Sequence, residues 1–216
     1  MNENDAYKTS ADIAYETICQ NIIEGKLIPG QKLSRRDMAK LSGVSTIPVI
    51  EALHRLENEG LVESKPRWGS RVISLTDEVI QDRMILREAI ECQVVRLLAK
   101  QITEEQKAQL TITAERVDTL SKSEGNDDAL WQEHYTFHHK MAEFTGCQSL
   151  IKALHQISLF NLLQKSEIMT HLKGEEIPDD NHLQVVQAIH SSNPLIAEEA
   201  MRTHIHRSGL FAQGNL

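Results

Sequence analysis

The sequence predicts a mainly α protein, an N-terminal winged helix-turn-helix followed by an all-α antiparallel helical bundle of about six helices. Three observations predict it. Residues 34–60 hold two short helical runs joined by a glycine-containing turn, and two short β-rich runs follow them. From residue 77 onward the apolar patterns keep helical spacing, and no segment alternates as a strand does. Only 4% of the residues are aromatic, so the core must be mostly Leu, Ile, Val, Met and Ala, as in helical bundles. A chain of 216 residues suits two small domains, expected at 1–75 and 76–216.

The first short helix opens at Ser34 and Asp37 in SRRDMAKLSG and ends at Gly43. In the second, VSTIPVIEALHRLENEG, Ser45 is a natural N-cap, and Pro48 falls in the first turn, where a missing N–H costs little. Val49, Leu53 and Leu56 recur at helical spacing, and Gly60 supplies a stop. LVESK and SRVIS then flank Pro66-Arg67-Trp68-Gly69, which reads as a hairpin wing with a basic tip. Such a unit is shaped to lie against a DNA groove.

Residues Ile22 to Val72 resemble the DNA-binding domain of the GntR family of bacterial transcription regulators. The resemblance is carried by Gly25, Pro29-Gly30, Leu33-Ser34, Arg36, Ala39, Gly43-Val44-Ser45, Pro48-Val49, Glu51-Ala52-Leu53, Leu56, Glu59-Gly60-Leu61-Val62, Gly69 and Val72. It implies DNA contacts from Arg35, Arg36, Ser45, Thr46, Ile50, Arg55, Arg67 and Gly69, with Lys65 beside them. Arg36 and Arg67 stand at positions the family uses for DNA; Arg35, Arg55 and Lys65 read equally well as solvated surface charges. Three departures bear on mechanism. Thr46 and Ile50 stand where the family usually carries arginine, and Trp68 replaces the arginine before the wing glycine. Arginine reads guanine through a bidentate contact worth about 1–3 kcal/mol of discrimination. Its loss changes the bases read or weakens binding. Thr46 can donate to a phosphate or touch a thymine methyl, whereas Ile50 offers only apolar contact.

Residues 1–75 hold ten Lys/Arg against ten Asp/Glu, and residues 76–216 hold thirteen against twenty-one. The whole formal charge of −8 therefore belongs to the second part. Binding to DNA then rests on local clusters of basic groups and should depend strongly on salt. Cys19, Cys92 and Cys147 lack paired spacing, which suits a reducing cytosol. No apolar run reaches transmembrane length and the N-terminus is polar, so a cytoplasmic protein with no membrane partner is expected.

Helices are predicted over 77–100, 103–122, 127–145, 148–171, 180–191 and 194–210, with loops at GNDD (125–128) and KGEEIPDD (173–180). Thr103 and Gln106 form a capping box, and Asn193-Pro194 is an N-cap followed by proline at the first helical position. Nine of the ten histidines lie in this part. His134 and His138, four apart, share a face with Leu130, Phe137 and Met141. His182 heads the stripe Val185, Val186, Ile189, and His204 continues Ala197, Ala200, Met201. Four histidines thus point inward from three helices, while His139, His155, His171, His190 and His206 read as surface or satisfied core residues. A buried imidazole must satisfy both ring nitrogens. Hydrogen-bonded core histidines and a shared divalent ion both meet that demand.

The helical part resembles the FCD ligand-binding domain of the FadR subgroup of GntR regulators. The residues that carry this are Arg87-x-x-Ile90-Glu91, Phe137-His138, His182 with Ala188-Ile189, and Ala200-Met201 before His204. The resemblance implies a divalent metal on an aspartate and three histidines, with a small carboxylate effector beside it. His138, His182 and His204 fall on the histidine positions, and His134 stands in place of the aspartate. Losing that negative charge favours nitrogen-loving ions, zinc or nickel, over manganese or magnesium. Arg87 is either an i,i+4 ion-pair partner of Glu91 or the residue that clamps the effector carboxylate.

The function expected is a homodimeric transcription regulator on a roughly palindromic double-stranded operator, controlled by a small organic acid, with linker residues 74–78 carrying the change. Two alternatives stand beside it, a regulator for which the metal is the signal and a metalloenzyme with an appended DNA-binding domain. Against the enzyme, no carboxylate or tyrosine is expected next to the four histidines as an obvious general base, and four protein ligands fill a tetrahedral zinc site.

Overall fold

The computed structural model describes residues 8–122, 127–158 and 181–207. It is mainly helical, with a small sheet near the N-terminus, and divides into two compact units with the first break between Val79 and Ile80.

The first unit contains α1 (Ser10–Ile23), β1 (Lys32–Leu33), α2 (Arg35–Ser42), α3 (Thr46–Asn58), β2 (Val62–Lys65) and β3 (Gly69–Val72). The strands form one antiparallel sheet in the order β1-β3-β2, with Lys65 opposite Gly69 at the hairpin end. Helix α1 and strand β1 add to the elements that the sequence patterns predict. Helix α1 carries a complete capping box, in which the Thr9 hydroxyl accepts from the Asp12 N–H and the Asp12 carboxylate accepts from the Thr9 N–H. Its inward residues Ala14, Ile18 and Ile22 meet Val49, Leu53 and Leu56 of α3, Leu33 of β1 and Val72 of β3 in one core. Ser34 caps α2 by accepting from the Asp37 N–H, and α2 ends at Gly43, whose φ of 67° is the left-handed conformation that favours glycine. The turn into α3 follows directly.

The second unit is built from α4 (Asp77–Gln101) from Ile80 onward, α5 (Glu104–Leu120), α6 (Asp127–Phe144), residues 148–155 of α7 (described over 148–158 of the predicted 148–171), α8 (His182–His190) and α9 (Pro194–Arg207). Helix α5 packs against α6 and α8, and α8 packs against α9. Their inward stripes supply Leu110, Ala114, Val117, Phe137, Met141, Val185, Ile189, Met201 and Ile205, all buried. The capping box expected at Thr103 and Gln106 is present. The remainder of the predicted 148–171 helix, the loop at 173–180, His171 and the end of the last helix lie outside the described residues.

Candidate DNA interface and candidate metal centre

Helix α3 buries Val49, Ala52, Leu53 and Leu56 and leaves Ser45, Thr46 and Ile47 exposed at its leading end. The Ser45 hydroxyl makes no capping hydrogen bond, so N-cap geometry holds without the usual side-chain acceptor. Ile50 is half-buried beside these residues. Arg35 and Arg36, in the first turn of α2, are both exposed. At the wing, the Trp68 N–H donates to the Lys65 carbonyl across a turn that Pro66 leads, and Arg67 at its tip is exposed with φ 68°. Gly69 follows with φ 75°, and Lys65 pairs with Glu63 at 2.8 Å.

Arg55 does not join this set. Its guanidinium donates to Asp12 Oδ1 at 2.7 Å and lies 4.1 Å from the centre of the Tyr15 ring, so it ties α3 to α1. Of the two expectations for Arg55, a DNA contact or a surface charge, the structure shows a charge engaged within its own unit, on Asp12 and Tyr15. Arg71 is likewise engaged, donating to the Gly30 carbonyl at 3.0 Å.

In the second unit, His134 and His138 of α6, His182 of α8 and His204 of α9 bring one ring nitrogen each within 4.8 Å of one another. The Nε2 atoms of His134 and His138 are 3.0 Å apart, and those of His138 and His204 are 3.4 Å apart. Metal–nitrogen bonds of about 2.0–2.1 Å give a tetrahedral edge of about 3.3 Å between ligands. The buried Nε2 of His182 has no hydrogen-bond partner among the described residues, an arrangement that calls for a ligand to the nitrogen. The donor set and its spacing therefore fit a divalent cation. Burial, followed by the neighbouring imidazoles, holds His134 and His204 well below the ordinary imidazole value. His138 is also lowered, burial outweighing the pull of Glu91. Neutral imidazole is the metal-binding form.

Two carboxylates reach these histidines, which corrects the expectation that none would lie beside them. Glu91 of α4 meets His138 Nδ1, and Asp118 of α5 meets His182 Nδ1 at 2.8 Å. Each grips the outer nitrogen of a ring whose other nitrogen faces the cluster. That is how a carboxylate fixes the tautomer and direction of a metal-binding histidine. The sequence holds one signal for Asp118, its place four residues beyond Ala114 on the inward arc of α5, and the sequence reading missed it. Burial raises the Glu91 carboxyl, but His138 and Arg87 outweigh it and bring it down to about 2. The Arg87 Nε donates to Glu91 Oε1 at 2.5 Å with both side chains buried, so of the two readings of Arg87 the ion pair is the one present. His139 stacks on Tyr135 with ring centres 4.1 Å apart, and His206 pairs with Glu88; both lie off the cluster, as their positions outside the stripes imply.

A three-helix winged unit followed by a helical bundle with buried histidines is the architecture of a class of DNA-binding transcription regulators. The chain matches the model of the FCD domain over residues 82–207 and that of the bacterial regulatory proteins of the gntR family over residues 10–72, and it belongs to the GntR family of transcription regulators with a C-terminal FCD domain. It is 25% identical over 191 residues to the HTH-type transcriptional repressor RspR of Escherichia coli strain K12, covering 88% of this chain and 83% of the relative. It is 27% identical over 206 residues to the HTH-type transcriptional repressor GlaR of the same organism, covering 91% and 92%. Among solved structures, E. coli McbR/YncC shares the fold with a TM-score of 0.76 at 16% identity, over 96% of this chain and 100% of that one. These relatives are transcription regulators and not enzymes, which removes the metalloenzyme alternative. Among the described residues no helix is long and apolar enough to cross a membrane.

Proposed function

We propose that this regulator holds a divalent cation, zinc or nickel, on His134, His138, His182 and His204, and that occupancy of this centre by metal and a small organic acid sets its affinity for DNA. The observation that carries the reading is the inward Nε2 of His182, buried without a hydrogen-bond partner beside three further imidazoles. A cation there satisfies this nitrogen and joins α6, α8 and α9. The ion supplies positive charge and, when bound, an attachment point for a carboxylate; Glu91 and Asp118 aim the rings that hold it. The regulator acts as a homodimer on a roughly palindromic operator, as the family's DNA-binding mode implies. Arg36, Arg35 and Arg67 supply the phosphate contacts, with Ser45, Thr46 and Ile50 at the base edges and Gly69 letting the wing approach closely.

A second reading, in which the metal alone is the signal, is favoured by one contact. The Nε of Arg87 is held by Glu91, which leaves less of its guanidinium fork for an effector carboxylate. Elemental analysis of the wild type and of His138→Ala, after metal-supplemented purification, tests the centre. About one ion per chain in the wild type and little in the variant is expected, with His139→Ala unchanged. Equal metal in all three, or none in any, overturns it. Gel-shift titrations with chelator, with metal, and with metal plus a panel of small organic acids then separate the two signals.

A further inference from the structure

From the arrangement of α3 we infer that Ile47, together with Ile50, reads thymine methyl groups, so that this regulator selects T·A pairs at the bases these two side chains meet. The inference rests on α3 being the helix that enters the major groove. Ile47 is 77% exposed, more than any other large apolar side chain of the described residues. At 100° per residue it lies diametrically opposite the buried arc of Val49, Ala52, Leu53 and Leu56, at the middle of the outward face. Ile50, three residues on, is its neighbour on the helix surface, and His54 continues the same column. Single exposed aliphatic residues are common on protein surfaces. This one occupies the centre of the face that a helix-turn-helix presents to base edges, in the first turn of the helix, where such contacts are made.

The partner of matching chemistry is the thymine C5-methyl, the one apolar group that distinguishes a base in the major groove. The Ile47 side chain has no polar atom to offer a guanine, and it would leave the guanine O6 and N7 acceptors desolvated without donors. Aliphatic contact therefore favours T·A and disfavours G·C at the same step. The basic groups needed to hold the duplex are exposed in the same unit, at Arg35, Arg36 and Arg67.

The test begins with selection of duplexes from a random pool by the full-length protein. Enrichment of thymine at one or two fixed positions in each half-site is expected. Each enriched thymine is then replaced by deoxyuridine, which removes only the methyl group. Burial of one methyl-sized group is worth about 0.8 kcal/mol, so each replacement should weaken wild-type binding about four-fold. Ile47→Ala should bind the thymine and deoxyuridine duplexes alike at one of these positions, and Ile47→Val should keep most of the difference. Because the side chain is exposed, thermal melting of both variants should match the wild type. Wild-type binding indifferent to deoxyuridine, or an Ile47→Ala variant that still distinguishes the two at every position, overturns the inference. A pool that yields no enriched sequence overturns the docking of α3, and the inference falls with it.

Discussion

Arg67 is held in a backbone conformation that residues other than glycine rarely adopt, and its proposed role in recognition would account for it. It occupies the third position of a turn led by Pro66, with φ 68°, where glycine or asparagine is the usual occupant. A non-glycine side chain held there costs on the order of 1 kcal/mol or more, and such strain gathers at functional positions. Arg67→Gly should therefore leave the melting temperature unchanged or raised while weakening operator binding several-fold. A gel shift identical to wild type would remove the wing tip from the DNA interface. Arg55 behaves in the opposite way. Its guanidinium lies on Asp12 and over Tyr15, a cation–π contact worth about 0.5–1 kcal/mol at such sites. Arg55→Ala should lower the melting temperature by a few degrees, whereas Arg36→Ala should weaken DNA binding and leave melting alone. Thermal melts and gel shifts on the same two preparations decide it, and a reversed pattern would exchange the roles of the two arginines.

At the scale of elements, the helix-turn-helix was legible because its punctuation is local. Ser34, Gly43 and Ser45 mark ends that need no knowledge of the rest of the chain, and the wing follows from Pro66 and Gly69. Helix α1 has an equally local signal, the Thr9–Asp12 capping box, but its inward stripe begins with two alanines, which carry little apolar contrast. The four inward histidines were legible from helical spacing alone, since each lies on an apolar stripe of its own helix. Their carboxylate partners were not, because pairing depends on which helix lies beside which. Asp118 is the clearest case. From α5 it accepts from the His182 ring and also from the backbone N–H groups of His182 and Leu183, so it both aims a ring and caps α8. Burial raises its carboxyl, but those bonds from His182 and Leu183 leave it below the usual range. Asp118→Asn should weaken metal binding by about 10–100-fold, the usual effect of losing an outer-nitrogen partner. Competition against a chromophoric chelator reads that change. Unaltered affinity with unaltered melting would show that His182 needs no orienter.

For the molecule as a whole, the metal centre should act as a cross-link whose strength follows pH. The ion would join α6, α8 and α9 at a single point. A ligand present at a hundred times its Kd adds about 2.7 kcal/mol of stability to the state that binds it. His134, His138 and His204 have folded values depressed below 6.5, with burial the first cause, so between those values and 6.5 the unfolded chain holds more protons than the folded one. Stability therefore rises with pH across that window. Their contribution is complete above pH 6.5 and is lost as pH falls toward the depressed folded values. Protons compete with the cation for the same nitrogens, so the metal's contribution is lost in the same direction. The melting temperature of metal-loaded protein should exceed that of chelated protein at about pH 7.5, and the gap should close as pH is lowered well below the ordinary imidazole value of about 6.5. Replacing His138 by alanine should close most of the gap at every pH, because only three imidazoles then surround the ion. Melting curves with and without chelator across this range test the claim. A gap that does not narrow on acidification would mean that the stabilising ion sits on groups other than these four histidines.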